Sequence, residues 1–215
     1  MTPLPTLSPP SLGESVATDL SESMGAHRDA FGQCFGSAEG VRTFFSPGRV
    51  NLFGGHLDYN GGPVLPTAID RGTFVAIRAR DDGEIRMASR FAEAEGSFLA
   101  AELPVSPRGE WYDYPLGVLL ALVRLDKSMA ERMAGGFDVL FGGNLPVGAG
   151  LSSSASICVG TTFALDALFG LGLDPVQRVE AALDAERGFV GVKCGIMDPY
   201  AVGSLIKDLK ILKQM

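Results

Sequence analysis

From Trp111 onward, Leu116, Leu119, Leu120 and Val123 fall at i, i+3, i+4 and i+7, one stripe of a helix that packs on a sheet. Upstream, Gly72 to Arg80 and Glu84 to Phe91 flank Asp81-Asp82-Gly83, and Ile85, Met87 and Phe91 recur with a period of two, which predicts a β-hairpin. Phe137 to Phe141 (FDVLF) reads as a short strand. Gly142 to Gly150 follows as a loop, and Leu151 to Leu168 has the length and composition of a buried helix. Asp174-Pro175 supplies an N-cap and an N1 proline for a last helix reaching about Gly188, with Val176, Val179 and Leu183 inward. Residues 1–20 are rich in Pro, Ser and Thr, which neither propagate a helix nor supply a buried face, so they read as a flexible leader. The chain has no internal repeats.

Composition narrows the classes. A chain of 215 residues corresponds to one or two domains and can bury roughly 70% of its unfolded surface. Eighteen basic against 25 acidic residues give a net charge of −7, and no Lys/Arg-rich run is present, which argues against a nucleic-acid partner. The longest strongly apolar stretch, Leu116 to Val123, is far short of the ~20 residues a membrane-spanning helix needs. The first twenty residues carry no Lys or Arg, so they lack the basic start of a secretory signal, and a cytoplasmic location is expected. Cys34, Cys158 and Cys194 are odd in number and widely spaced, fitting neither a disulfide framework nor a CxxC metal site; they read as reduced and structural.

Two glycine-rich segments carry the chemistry. Residues 142–156 (GGNLPVGAGLSSSAS) lie between the predicted strand and the predicted helix. There glycines let the backbone approach an anion, and the N–H groups and dipole at the helix start attract phosphate. A glycine turn with a serine N-cap is the structural alternative. Walker A fails because no Lys follows a glycine here, and a dinucleotide fingerprint fails because Ser153 stands where a third glycine is needed. His27-Arg28-Asp29 mimics the protein-kinase catalytic triplet, but position 34 is Cys where Asn is required, and the triplet precedes every glycine loop. Residues 46–62 gather Arg49, Asn51, His56, Asp58, Tyr59 and Asn60 among five glycines, the equipment for fixing the hydroxyls of a small polar ligand.

These residues carry a resemblance. PGRVNLFGGHLDYNGG, residues 47–62, resembles the signature of galactokinases, members of the GHMP small-molecule kinases. The 142–156 loop resembles that superfamily's ATP-binding motif, and ERGFVGVKCGIMD, residues 186–198, resembles the galactokinase segment that ends in the catalytic aspartate. The resemblance implies an α+β fold, the ribosomal protein S5 domain 2-like N-terminal lobe, with a mixed sheet and helices on one side, over residues 21–203. It implies that Gly148, Gly150, Ser152 and Ser153 wrap the phosphates of ATP, with Ser154 also in that loop, and that Ser154 and Glu186 sit at Mg²⁺. Asp198 takes the place of the base for the sugar's anomeric hydroxyl and Arg49 that of the cation near the transferred phosphoryl group. His56, Asp58 and Gly195 match positions that contact the sugar. The implied activity is ATP-dependent phosphorylation of galactose or a related monosaccharide to the sugar 1-phosphate; a non-catalytic sugar and nucleotide sensor, or an inactive truncated kinase, is the alternative.

The chain also departs from the family. Gly54-Gly55-His56 stands where galactokinases carry Gly-Glu-His, removing a carboxylate that holds a sugar hydroxyl, and Pro199 replaces the glutamine after the aspartate. Galactokinases continue into a second lobe with a further glycine-rich motif. Residues 204–215 do not resemble the strand that follows GIMD there, so a missing C-terminal lobe, which could pair with this one, is expected.

Overall fold

The computed structural model describes residues 14–54, 57–60, 62–146 and 148–205. In chain order they form helix α1 (Glu14–Phe35), strand β1 (Arg42–Phe53), a 3₁₀ turn (Asp58–Asn60), β2 (Leu65–Ala79), β3 (Glu84–Ser89), β4 (Ala92–Leu99), α2 (Asp113–Leu125), α3 (Ser128–Arg132), β5 (Gly136–Gly143), α4 (Ser153–Phe169), α5 (Pro175–Asp184), a π-helical turn (Ala185–Val190) and α6 (Met197–Leu205). The five strands make one mixed sheet in the order β1-β2-β5-β3-β4, in which only the β3–β5 pairing is parallel.

The expected hairpin of Gly72–Arg80 with Glu84–Phe91 does not form, because β5 lies between the two segments. Around the Asp81-Asp82-Gly83 turn the backbone bonds go to the start of β5 instead, Arg80 N–H to Gly136 O at 2.9 Å and Gly83 N–H to Gly135 O at 3.0 Å. The reason is burial and charge. β5 is buried along nearly its whole length, which only a central strand covered on both faces can be. Its one buried ion, Asp138, accepts from Arg78 (2.6 Å) and Arg80 (2.9 Å) on the β2 side and from Arg86 (2.7 Å) on β3. Burial opposes ionisation of Asp138, but hydrogen bonds from the three guanidiniums outweigh it and hold the carboxyl below its ordinary range.

Strand alternation divides the core in two. Val75, Ile77, Ile85, Met87, Phe137, Val139 and Phe141 join Leu116, Leu119 and Leu122 of α2 and Ala155, Cys158, Val159 and Leu165 of α4 in the main cluster. Ala76, Ala88 and Leu140 point the other way, onto Phe31 of α1. The α+β reading stands, but helices cover both faces rather than one. Helix α1 also begins within the span read as a flexible leader; the prolines end at Pro10, and Leu20, Met24, His27 and Phe31 then recur at i, i+4, i+7 and i+11 on the sheet-facing side. Buried His27 donates from Nε2 to Leu140 O at 3.0 Å, and desolvation pushes its pKa down to about 4, so it sits there neutral.

The Asp174 N-cap is present with its N1 proline, and Gln177 completes a capping box. The inward face of α5 is corrected: Val179, Ala181 and Ala182 are buried, Leu183 is half-buried and Val176 is exposed. The α-helix stops at Asp184, continues as the π turn rather than as α-helix to Gly188, and α6 follows it. Asp138→Asn should leave three guanidiniums crowded around a neutral, buried amide and cost about 3 kcal/mol, read as a lower urea midpoint at unchanged m-value; a loss below ~1 kcal/mol would mean that the cluster does not hold the sheet order.

Candidate active site

The site begins with an irregularity in β1. The β1–β2 register shifts between Pro47 and Arg49, at Gly48, and such a bulge re-aims the next side chain. A Cβ at Gly48 would lie 2.9 Å from Leu151 O, so only glycine lets β1 press against the loop before α4. There Arg49 N–H donates to Leu151 O at 3.1 Å and Arg49 Nη1 to Gly150 O at 2.7 Å. The rest of the guanidinium forks onto Asp198, Nε to Oδ1 and Nη2 to Oδ2, each at 2.8 Å. The residues that the resemblance sets at the sugar hydroxyl and at the transferred phosphoryl group are thus in bidentate contact, half-buried, 149 positions apart along the chain.

Asp198 stands in the first turn of α6, followed by Pro199, whose missing N–H falls where a helix has no internal partner for it. Asp58, in the 3₁₀ turn, accepts from Met197 N–H at 3.2 Å and so ties the segment after β1 to the start of α6. Gly195 is packed onto the same carboxylate; a Cβ there would overlap the Asp58 oxygens. Asp58 and Gly195 are therefore brought together beside Asp198, while His56 and Gly55 lie outside the described residues.

The glycine loop opens α4 as expected, although Gly142 and Gly143 pair in β5 and the loop starts after them; Ser153 is the first residue of α4, and Gly148 and Gly150 stand at φ 75° and 70°. Ser152, expected among the phosphate ligands, uses its hydroxyl otherwise: it donates to Asp198 Oδ2 at 2.6 Å. Ser152 also adopts φ 60°, a left-handed backbone that costs an L-residue about 1–2 kcal/mol. Glu186 is buried in the π turn, a ladder defect that recurs at functional sites. Its Oε2 has no partner, and burial first, with the nearby Asp198 charge adding, raises its carboxyl above the ordinary range against a hydrogen bond from Ser154.

Beside Ser153 and Ser154 opens an apolar cavity of about 300 Å³ whose walls include Phe91, Trp111, Tyr114, Phe141 and Leu145. Trp111 is fixed by an Nε1–H bond to Ala94 O at 2.7 Å and by edge contact with Phe141. No sequence spacing assembles this cavity; its one local signal is the chain's lone tryptophan at an element boundary.

Residues 29–79 match the galactokinase galactose-binding signature and residues 114–204 match the N-terminal domain of GHMP kinases. The chain is 45% identical over 184 residues to the galactokinase of Fusobacterium nucleatum and 42% identical over 175 residues to that of Bacillus subtilis, alignments that cover 85% and 80% of it. The chain belongs to the galactokinase branch of the GHMP kinase family. It spans about half the length of these galactokinases, 46% and 44%. Among solved structures, Lactococcus lactis galactokinase complexed with galactose matches with a TM-score of 0.77 at 34% identity, covering 84% of this chain and 46% of that one. Among the described residues no helix is long and apolar enough to cross a membrane.

In this galactokinase-family chain the raised Glu186 carboxyl sets a stability trend. A buried acid whose folded pKa is raised favours the fold below its unfolded value and loses that contribution as pH rises through the folded value. Glu186→Gln should therefore raise the melting temperature near neutral pH, with the gain shrinking as the pH approaches the ordinary glutamate range; a variant less stable than wild type at neutral pH would contradict the desolvation of this carboxylate.

Proposed function

We propose that the chain carries the nucleotide- and sugar-binding half of an ATP-dependent kinase that phosphorylates the anomeric hydroxyl of galactose or a related monosaccharide. The observation that carries this reading is the Arg49–Asp198 pair, held beside the glycine loop that opens α4. In this reading Asp198 accepts the proton of the anomeric hydroxyl as that oxygen attacks the γ-phosphorus, and the bond from the γ-phosphorus to the ADP oxygen breaks. Arg49, permanently charged and already in contact with Asp198, offsets the charge that develops on the transferred phosphoryl group. Gly148, Gly150, Ser153 and Ser154 line the phosphate path at the α4 N-terminus, where helix dipole and free N–H groups favour anions. The apolar cavity at Trp111 and Tyr114 takes the adenine, an aromatic-walled slot for a flat base. Asp58 and Gly195 face the sugar, and His56 matches a galactokinase position that contacts it.

Mg²⁺ fits the residues present. The unpartnered, buried Oε2 of Glu186 and the Ser154 hydroxyl that bonds this carboxylate are both hard oxygen donors, and magnesium commonly takes one or two protein oxygens and completes its shell with phosphates and water. When bound, the ion neutralises phosphate oxygens. In this reading the protein works in the cytoplasm, where ATP is supplied. Exposed Leu52 and Phe53 at the end of β1 and Leu65 at the start of β2 form an apolar rim next to the site, suited to cover by the further half that the relatives carry.

A coupled ADP-release assay with MgATP and galactose tests the reading. Asp198→Asn should lower turnover by ~10²–10⁴-fold while MgATP binding, read by calorimetry, is retained; a wild-type chain that binds both ligands and releases no ADP would favour a sensor instead. Position 55 is tested with a panel of sugars: Gly55→Glu should shift the ranking toward galactose, and an unchanged ranking would remove position 55 from specificity.

A further inference from the structure

We propose that Ser152 is a positioning residue for Asp198 rather than a phosphate ligand, an inference that rests on the kinase reading above. Among the described residues Ser152 is the one non-glycine residue with positive φ, and it is 8% exposed. Its surroundings hold it in that conformation from both sides. The carbonyls of Gly150 and Leu151 are taken by the guanidinium and backbone N–H of Arg49, and the carbonyl of Ser152 itself accepts from Ser156 N–H at 2.9 Å to start α4. A serine at this place ordinarily caps the helix, yet its side chain makes no cap bond. A hydroxyl has one proton to donate, and here it goes to Asp198 Oδ2 at 2.6 Å. The Asp198 carboxylate is thereby held by Arg49 at both oxygens and by Ser152 at one, so it cannot turn about its own axis, and a lone pair of Oδ1 stays open for a sugar hydroxyl. The left-handed backbone at 152 is what carries the hydroxyl to that oxygen and away from the phosphate path.

Ser152→Gly accepts the same backbone without strain and deletes only the hydroxyl, and Ser152→Ala deletes it while keeping Cβ. Both variants should leave MgATP affinity within about twofold of wild type and weaken galactose binding about tenfold, the share of a hydrogen bond to a charged group. Where turnover is measured, kcat should fall while KM for ATP holds. In a double-mutant cycle, Ser152→Gly added to Asp198→Asn should weaken galactose binding no further than Asp198→Asn alone. A tenfold loss of MgATP affinity with galactose binding intact would make Ser152 a phosphate ligand and overturn the proposal, as would additive losses in the cycle. A wild-type chain that bound neither ligand would overturn the kinase reading itself, and this inference with it.

Discussion

One guanidinium holds the site together. Arg49 reaches Gly150 and Leu151 in the loop before α4 and Asp198 at the start of α6, joining segments 101 and 149 positions away along the chain. The contact depends on the bulge at Gly48, because without that close approach the Arg49 backbone could not reach the loop. An arginine suits this task where a lysine would not: its rigid fork grips both carboxylate oxygens and still has a donor left for a carbonyl. The proposed chemistry, the strained serine and the docking of α6 through Asp58 are all arranged around that fork.

Beneath the site, the sheet depends on a second fork-and-carboxylate arrangement. Asp138 on the central strand draws arginines from both sides, Arg78 of β2 with Arg80 just after it and Arg86 of β3, and so fixes which strands are neighbours. The strand it belongs to runs straight into the glycine loop, so the same element that orders the sheet delivers the loop to the start of α4. Sheet order and site geometry are coupled through β5.

What could be read from the sequence was what local chemistry decides. The strand, loop and helix around residues 137–168 and the Asp174-Pro175 cap depend on neighbours a few residues away. Whole motifs carry Arg49, Asp58, Asp198 and Gly195, and the structure brings them together. The hairpin misread has a physical cause: Asp81-Asp82-Gly83 makes a turn, but strand pairing was decided by β5, about 50 to 60 positions further on, through its burial and Asp138. Helix α1 did leave a signal in the spacing of Leu20, Met24, His27 and Phe31, hidden because a polar histidine stands in the apolar stripe. The aromatic cavity joins Phe91, Trp111 and Phe141 from three separate segments and exists only after folding. Ser152, Ser153 and Ser154 are chemically identical in sequence; one backbone angle separates the first from the others.

In the proposed reaction Asp198 takes the proton of the anomeric hydroxyl and that oxygen receives the γ-phosphoryl group of ATP beside Arg49. Incubating the chain with MgATP and galactose labelled with ¹³C at C1, and recording the carbon spectrum, tests it most directly. A new C1 resonance split by phosphorus should grow with time for wild type and be absent for Asp198→Asn. A phosphorylated sugar whose C1 shows no phosphorus coupling, or the same product formed equally well by Asp198→Asn, would contradict this reaction.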